Sequence, residues 1–241
     1  MNLLEVEKLN KTFGGLTAVH DFDMTVEKGE IVGLIGPNGA GKTTLFNMIA
    51  CFYFPDSGRI IFQGKNLIGM KPYQVCALGI ARTFQLTKPF VNNTVLENVM
   101  VGAFSRAGSA REARRQALQI LEVLEFSGHR DVLGQELTTA EQKRLEFARA
   151  LATQPQLLLL DEAMAGLNPA EKLHLLDLLR RIRERGITLV IVEHDMKAVM
   201  TLCDRIILMH RGEKLVEGTP QKVANDPQAI AAYLGEEYAT T

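Results

Sequence analysis

The sequence predicts an α/β domain built on a parallel β-sheet, with an antiparallel β lobe at the N-terminus and a helical region in the middle of the chain. Uniformly apolar runs such as LLLL and ITLVIV alternate with helix-like segments, which is typical of a parallel sheet covered on both faces. Another apolar run, EIVGLIG, ends in a glycine-rich loop that leads into a helical pattern. Together these observations predict the fold class.

The N-terminal lobe is predicted from short β-rich runs that are bounded by glycine or by charged residues. These runs are LLEVEKL, FDMTVEKG and RIIFQG, and the run EIVGLIG lies between the second and the third. We therefore expect antiparallel strands that feed a buried strand ending in the glycine loop.

The middle of the chain contains an amphipathic helix pattern, REARRQALQILEVLEF. Apolar side chains fall on one face and Arg and Glu side chains on the other, as in a surface helix. The residues predicted to face the core are Ala113, Ala117, Ile120, Leu121 and Leu124.

The C-terminal half continues the alternation of strands and helices. The run LLLLD predicts a strand, a helix should begin at about Pro169, and ITLVIVEHD predicts a further strand before another helix. The segment DRIILMHRGEKLVEG predicts a hairpin that turns at Arg211 and Gly212, and DPQAIAAYLGEEYATT predicts a docked terminal helix with a frayed end.

Composition narrows the classes of function. With 241 residues, 46% of them hydrophobic, the chain is long enough for one α/β domain with an inserted subdomain. Its 28 acidic and 27 basic residues give a net charge of −1, so nucleic acid is not an expected partner.

Cys51, Cys76 and Cys203 are widely spaced and indicate neither disulfides nor a zinc site. The apolar runs are too short to span a bilayer and the N-terminus does not resemble a signal peptide, so we expect a cytoplasmic chain that reaches a membrane through a partner.

The glycine loop has the pattern of a phosphate-binding loop, GPNGAGKT, placed after an apolar strand and before a helix. Backbone N–H groups of such a loop bind phosphate, Lys42 adds a positive charge, and the Thr43 hydroxyl is suited to Mg²⁺. A glycine turn that merely caps a helix would not need lysine and threonine here. The residues predicted to bind the nucleotide phosphates are Gly36, Pro37, Asn38, Gly39, Ala40, Gly41, Lys42, Thr43 and Thr44.

A carboxylate pair ends the segment LLLLDE, whose strand we expect to lie beside the strand of the phosphate loop. Asp161 is placed to hold Mg²⁺ through water, and Glu162 to orient or deprotonate the attacking water. An isolated Asp-Glu pair after an apolar run is commonly just the polar end of a strand, and this is the alternative. Because the pair occurs together with a phosphate loop, the catalytic interpretation is favoured.

The ordered series GPNGAGKT, RTFQ, LTTAEQKR, LLLLDE, GLNP and VEHD resembles an ABC-type ATPase over essentially the whole chain. The resemblance implies a P-loop NTPase fold with a RecA-like core and ATP and Mg²⁺ as ligands. It also implies a single domain, with residues 1–86 and 156–220 forming the core and β lobe, 87–155 a helical subdomain, and 221–241 a C-terminal helix and tail.

The resemblance also assigns roles to residues outside the phosphate loop. Gln85 would contact Mg²⁺ or the lytic water and signal to a membrane subunit, and His194 would hold the γ-phosphate. Phe13 would stack on adenine, since a planar ring suits a purine face. The alternative for Phe13 is a plain core position.

Within this family, segments such as ARTFQLTKPFVNNTVLENVMVGA and EHDMKAVMTLCDRIILMHRGEKLVEGTP are similar to the ATP-binding subunits of branched-chain amino acid importers, of the G-component type. That similarity implies a peripheral protein on the cytoplasmic face of the plasma (inner) membrane, working with integral membrane permease subunits. Urea, amide and lipopolysaccharide transport ATPases share much of the pattern, and a soluble ABC scaffold is the alternative from another class.

The family's signature segment is altered here. Where LSGGQ is usual, the chain has Leu137, Thr138, Thr139, Ala140 and Glu141, so both glycines are absent and a negative charge is added. In a dimer this segment closes over the ATP of the partner. Independently, Thr138 and Glu141 are spaced as a capping box for the helix that follows.

The segment GLNP carries Asn168 where the family usually has aspartate, although Asn168, Pro169 and Glu171 form a sound helix start. Residues offered to a partner's ATP are thus changed, whereas the chain's own phosphate loop is intact. This contrast predicts a second ABC ATPase subunit as partner, in a heteromeric pair with unequal ATP sites, and a homodimer is the alternative.

A membrane subunit should receive its contacts from QLTKPFVNNTVLENV, the segment that begins at the Q-loop glutamine. Phe90 and Val95 are the predicted exposed anchors.

Overall fold

The computed structural model describes residues 2–83 and 88–237. Its strands are β1 (Asn2–Phe13), β2 (Leu16–Glu27), β3 (Ile31–Ile35), β4 (Ser57–Phe62), β5 (Lys65–Asn66), β6 (Ile80–Arg82), β7 (Leu157–Asp161), β8 (Thr188–Val192), β9 (Arg205–His210) and β10 (Glu213–Gly218). Its α-helices are α1 (Lys42–Ile49), α2 (Pro72–Leu78), α3 (Val95–Ala103), α4 (Ala110–Val123), α5 (Thr139–Ala152), α6 (Pro169–Glu184), α7 (Met196–Leu202), α8 (Pro220–Ala224) and α9 (Pro227–Glu237). Short 3₁₀ helices lie at Ser127–His129 and Gly134–Glu136.

The N-terminal lobe is an antiparallel sheet with the strand order β2-β1-β4-β5. β1 pairs with β2 on one side and with β4 on the other, and both pairings are antiparallel. Strands that are close in sequence are therefore neighbours in this sheet, as the β-rich runs predicted. The inward side chains of the lobe, among them Leu4 and Phe22, pack against α1 and one face of the second sheet.

The second sheet has the strand order β10-β9-β3-β8-β7-β6, and its strands run parallel except for β10. β8 lies between β3 and β7, so the expectation that the strand of the carboxylate pair adjoins the strand of the phosphate loop is wrong. β8 is apolar and buried over its whole length, which suits an interior position in the sheet. The ends of β3, β8 and β7 nevertheless open onto the same edge, because parallel strands point the same way.

Both faces of this sheet are covered, which explains the uniformly apolar strands. Leu158 and Leu160 of β7 face a core that contains residues of α3 to α7, whereas Leu157 and Leu159 face the core of α1 and the lobe. The same alternation holds in β3 and β8.

The central helices α3, α4 and α5 pack against one another, and the apolar face of α4 is turned into the core that they share. Ala113, Ala117, Leu121 and Leu124 are buried as predicted, and Ile120 packs at the edge of the core. Ser109 accepts a hydrogen bond from Glu112 N–H and thereby caps the start of α4.

The C-terminal elements agree with the pattern. β9 and β10 form the predicted hairpin, with Arg211 and Gly212 in the left-handed conformation at its turn. α9 is docked through Ala229 and Ala232. No helix within the described ranges is long and apolar enough to cross a bilayer.

Candidate nucleotide-binding and hydrolysis site

The phosphate loop connects the end of β3 to the start of α1, and two of its glycines are required by close packing. Gly36 has φ +149°, and a Cβ there would lie 2.0 Å from the Met209 carbonyl oxygen. Gly41 has φ +105°, and a Cβ there would lie 2.2 Å from the Ala18 carbonyl oxygen. The loop is thus pressed against β9 and β2, and only glycine fits at these two positions.

The start of α1 has the properties of an anion site. Gly41 provides no side-chain cap, and the first turn of the helix contains no acidic residue. The backbone N–H groups at this end are therefore available to a phosphate, and the helix dipole favours negative charge. Lys42 Nζ lies 2.5 Å from Gly36 O and 2.8 Å from Pro37 O, so its ammonium is held against the loop.

Asp161 and Thr43 line the same cleft at the carboxyl edge of the sheet. Asp161 Oδ2 lies 2.7 Å from a guanidinium nitrogen of Arg82. The Asp161 side chain is 3% exposed and the Arg82 side chain is 6% exposed. Arg82 also donates to Asn47 Oδ1 at 2.6 Å. Sequence reasoning missed Arg82, although a charged residue directly after the apolar residues of a short strand was a signal for a buried partner.

Glu162 and His194 meet at the ends of β7 and β8. Glu162 is in the left-handed conformation with φ +50°, and its N–H donates to Val192 O at 2.9 Å. His194 Nε2 lies 3.1 Å from Glu162 Oε1, and both side chains reach solvent. A carboxylate and an imidazole in contact at an accessible edge can hold and move a proton.

Two further charged groups lie behind Glu162, and sequence reasoning missed both. Glu193 is 4% exposed, and its Oε1 accepts a hydrogen bond from Met164 N–H at 2.8 Å. Lys143 Nζ donates to the carbonyl oxygens of Glu162, at 3.2 Å, and of Ala163, at 3.1 Å. Burial raises the pKa of the Glu193 carboxyl and lowers the pKa of the Lys143 ammonium, because it disfavours both charged forms.

The signature segment forms the predicted capping box at the start of α5. Thr138 Oγ1 accepts from Glu141 N–H at 3.4 Å, and Thr138 N–H donates to Glu141 Oε2 at 2.8 Å. The Thr138 hydroxyl also donates to Glu141 Oε2, and His129 Nε2 lies 2.8 Å from Glu141 Oε1. These contacts, the Thr138 backbone hydrogen bond above all, lower the pKa of Glu141. Leu137 is buried, whereas Thr138 and Thr139 are exposed.

The other predicted residues are placed as follows. Asn168 caps α6 by accepting a hydrogen bond from Glu171 N–H at 3.0 Å, and Pro169 occupies the first turn, as predicted.

Phe13 is 42% exposed, so the alternative of a core position for it is wrong. Its ring makes an edge contact with Tyr53, with the ring centroids 5.3 Å apart. Gln85 lies outside the described residues.

Of the two predicted anchors for a membrane subunit, only Phe90 is exposed. Its side chain is 44% exposed and lies under the Arg149 guanidinium, 4.7 Å from the ring centroid. Val95 is fully buried, so its assignment as an exposed anchor is wrong. The physical reason is the Thr94 capping box, which starts α3 at Val95 and directs this first residue into the core between the helices.

Comparison with known proteins agrees with this geometry. The model of the ABC transporter family matches residues 19–165, more than half of the chain. The chain belongs to the ABC transporter family. Residues 213–239 also match the model of the branched-chain amino acid ATP-binding cassette transporter.

One curated relative is the high-affinity branched-chain amino acid transport ATP-binding protein LivG of Escherichia coli (strain K12). It is 41% identical over 250 residues, which cover 97% of this chain and 98% of LivG. The crystal structure of the ADP conformation of MJ1267, an ATP-binding cassette of an ABC transporter, superposes with a TM-score of 0.89 at 32% identity, covering 98% of this chain and 99% of that chain. The dimeric structure of MJ0796, a bacterial ABC transporter cassette, has a TM-score of 0.81 at 27% identity, covering 90% of this chain and 98% of that chain.

These findings confirm the predicted family, its branched-chain amino acid type and the fold class. This ABC cassette is an ATP-binding subunit and an ABC-type ATPase.

Proposed function

We propose that this ABC cassette hydrolyses ATP to drive import of branched-chain amino acids through separate integral membrane subunits. The observation that carries the proposal is the meeting of four groups at one edge of the parallel sheet: the phosphate loop, Asp161, Glu162 and His194. Near full-length similarity to LivG supports the choice of solute class.

The nucleotide would bind with its phosphates on the loop from Gly36 to Thr44. The uncapped start of α1 and the Lys42 ammonium suit the β- and γ-phosphates, and the exposed Phe13 ring is accessible for stacking on the base. The loop and its lysine would thus bind the phosphates of ATP, and the aromatic ring would bind its base.

Mg²⁺ fits the oxygen donors of this cleft. Thr43 offers a hydroxyl and Asp161 a carboxylate, and Mg²⁺ commonly takes only one or two protein groups beside phosphate and water oxygens. When bound, the ion would neutralise charge on the β- and γ-phosphates. Gln85 is a further proposed ligand, by family resemblance.

Glu162 and His194 would act on the two reactants of hydrolysis. The Glu162 carboxylate accepts a proton from the attacking water or orients it, and His194 binds the γ-phosphate. Their 3.1 Å contact holds the two side chains in register, so that water and phosphate are positioned relative to each other.

The altered signature supports a pair of unequal ATP sites. In a dimer the segment from Leu137 to Glu141 would lie over the nucleotide of the partner cassette. Here the Thr138 hydroxyl donates to Glu141, and methyl-bearing residues occupy both glycine positions. These features reduce the ability of the signature segment to bind a γ-phosphate, whereas the phosphate loop of this chain keeps its glycines, lysine and threonine. We therefore propose a second, different ABC cassette as the partner.

The membrane subunits would dock beside the cleft, on a surface of exposed apolar side chains. Phe52, Tyr73 and Val101 line the cleft and are 47%, 68% and 46% exposed, and Phe90 lies against Arg149, which lines it too. Exposed apolar groups of this density are typical of a protein interface. Such docking would place the cassette on the cytoplasmic face of the plasma (inner) membrane.

Docking is tested by crosslinking a photoreactive residue at Tyr73 or Val101 in the assembled transporter. We expect crosslinks to a membrane subunit, and none from Leu16, an exposed apolar residue at the tip of the β lobe. Crosslinks from the β9–β10 hairpin alone would contradict this placement.

The catalytic roles are tested by comparing Lys42→Ala with Glu162→Gln. Loss of the ammonium removes a direct phosphate contact and should weaken ATP binding, whereas the glutamine variant should bind ATP normally and hydrolyse it slowly, because only Glu162 acts on water. Equal losses of affinity in both variants would contradict the assignment.

The solute is tested by reconstituting the transporter in vesicles and measuring uptake of leucine, isoleucine or valine with ATP inside or outside. Uptake that needs ATP on the cassette side and is lost in Glu162→Gln supports the proposal. A complex that instead moves urea, amides or lipopolysaccharide, or a cassette that recovers no membrane subunit, would replace it.

A further inference from the structure

The turn that carries Glu162 is backbone-strained. Glu162 has φ +50°, a conformation that residues other than glycine rarely adopt and that persists only where surrounding contacts enforce it. The direction of the Glu162 carboxylate depends on this turn, because the conformation sets where its side chain leaves the backbone.

Two charged side chains hold the turn from opposite sides. Lys143, on α5, donates to the carbonyl oxygens of residues 162 and 163. Glu193, at the end of β8, accepts the N–H of Met164 at 2.8 Å. The two consecutive peptide groups after Glu162 are thus bound by two side chains from different parts of the fold. Glu193 also directly precedes His194 in the chain.

Both charged groups are placed where burial disfavours their charge. Burial disfavours the ionised form of both groups, which is seen in the raised pKa of Glu193 and the lowered pKa of Lys143. The attraction between their charges offsets only part of that cost. Apolar side chains of similar size would avoid this cost, but they would leave the carbonyls of residues 162 and 163 and the Met164 N–H without these partners. The two charged groups are therefore best explained by their hold on the turn.

We propose that Lys143 and Glu193 are positioning residues for hydrolysis, which together hold the turn 162–164 so that the Glu162 carboxylate meets His194 and the attacking water. The inference rests on the proposed catalytic function of Glu162. Lys143 fixes the carbonyl side of the turn and Glu193 the N–H side, and Glu193 also ties the turn to the backbone that carries His194.

The test is single-turnover hydrolysis of Mg·ATP by the assembled transporter, in which the partner cassette carries an inactivated phosphate loop. ATP affinity is measured separately for each variant. Lys143→Met keeps the length of the side chain and removes its donors. We expect its hydrolysis rate to fall roughly 10- to 100-fold, since a small misplacement of a catalytic group has effects of this size, while ATP affinity stays within about two-fold. Lys143→Arg can donate to both carbonyls and should restore most of the rate.

Glu193 provides an independent test from the other side of the turn. Glu193→Leu removes the acceptor for Met164 N–H and should slow hydrolysis, whereas Glu193→Gln keeps an acceptor oxygen and should retain most of the rate. Lys197→Met, at an exposed lysine on α7, is the matched control and should match the unaltered chain.

Combination with Glu162→Gln separates positioning from general damage. If Lys143 and Glu193 act through the Glu162 carboxylate, their variants should cause no further loss of rate in the Glu162→Gln background. Equal losses in both backgrounds, failure of arginine to rescue, or a matching loss of ATP affinity would overturn the inference. If Glu162→Gln hydrolyses ATP at the normal rate, the proposed function of Glu162 is wrong. If Glu162→Gln is slow but the Lys143 and Glu193 variants hydrolyse ATP normally, the proposed function stands and only this inference is wrong.

Discussion

The buried ion pair between Arg82 and Asp161 provides a sharp prediction about stability. The two side chains are 6% and 3% exposed, and their charged atoms are 2.7 Å apart. Arg82→Met fills a similar space but leaves the Asp161 carboxylate buried without the guanidinium. It also removes the donor to Asn47 Oδ1.

The expected loss follows from the burial of the pair. Removing one partner of a buried ion pair costs about 3–5 kcal/mol, because the remaining charge is desolvated and uncompensated. That is a large part of the ~5–15 kcal/mol by which domains are stable. At roughly 2–4 °C per kcal/mol for a chain of this length, the melting temperature should fall by about 6–20 °C. The double variant Arg82→Met with Asp161→Asn should recover much of the loss, since no buried charge remains.

The measurement is urea unfolding of the variants, with the slope of the transition checked for constancy. Arg59→Met is the matched control, because Arg59 pairs with Glu7 in solvent, with the two side chains 68% and 43% exposed. It should cost less than about 1 kcal/mol. If Arg82→Met costs no more than this control, or if the double variant is less stable than the single one, the buried pair does not stabilise the fold in the way that its burial implies.

Three other predictions concern the base, the partner site and pH. Phe13→Ala should weaken ATP binding roughly 5- to 100-fold by loss of stacking while leaving affinity for inorganic tripolyphosphate unchanged, and equal loss for both ligands would contradict stacking. Thr139→Gly with Ala140→Gly should accelerate hydrolysis at the partner's ATP site, and it should lower the stability of α5 by about 1 kcal/mol. The measurement is hydrolysis by the assembled pair with one phosphate loop inactivated at a time, and a change at this chain's own site alone would refute the prediction. Burial raises the pKa of Glu193 above its ordinary value, so the folded state binds the Glu193 proton more tightly than the unfolded state does. The free energy of unfolding should therefore fall as pH rises from about 4.5 through the raised pKa. Glu193→Gln should lack this fall, and identical pH slopes for the two chains in urea unfolding would contradict the prediction.

The sequence alone predicted those features that depend on nearby residues. The capping boxes of Thr138 with Glu141 and of Asn168 with Glu171 join residues three positions apart, and both occur as predicted. The hairpin at Arg211 and the buried face of α4 follow from turn chemistry and helical periodicity, which are equally local. The phosphate loop was predictable because its glycines, lysine and threonine are contiguous.

Only the tertiary structure decided which distant groups meet. It placed β8 between β3 and β7, because an apolar strand pairs equally well at several positions of a parallel sheet and no local pattern encodes its neighbours. Arg82 reaches Asp161 from 79 positions away, and Glu193 reaches Met164 from 29. The burial of Val95 likewise depends on how α3 packs among the other helices. The composition of the phosphate loop could therefore be read from the sequence, whereas the contacts that orient Asp161 and Glu162 result from packing between distant segments.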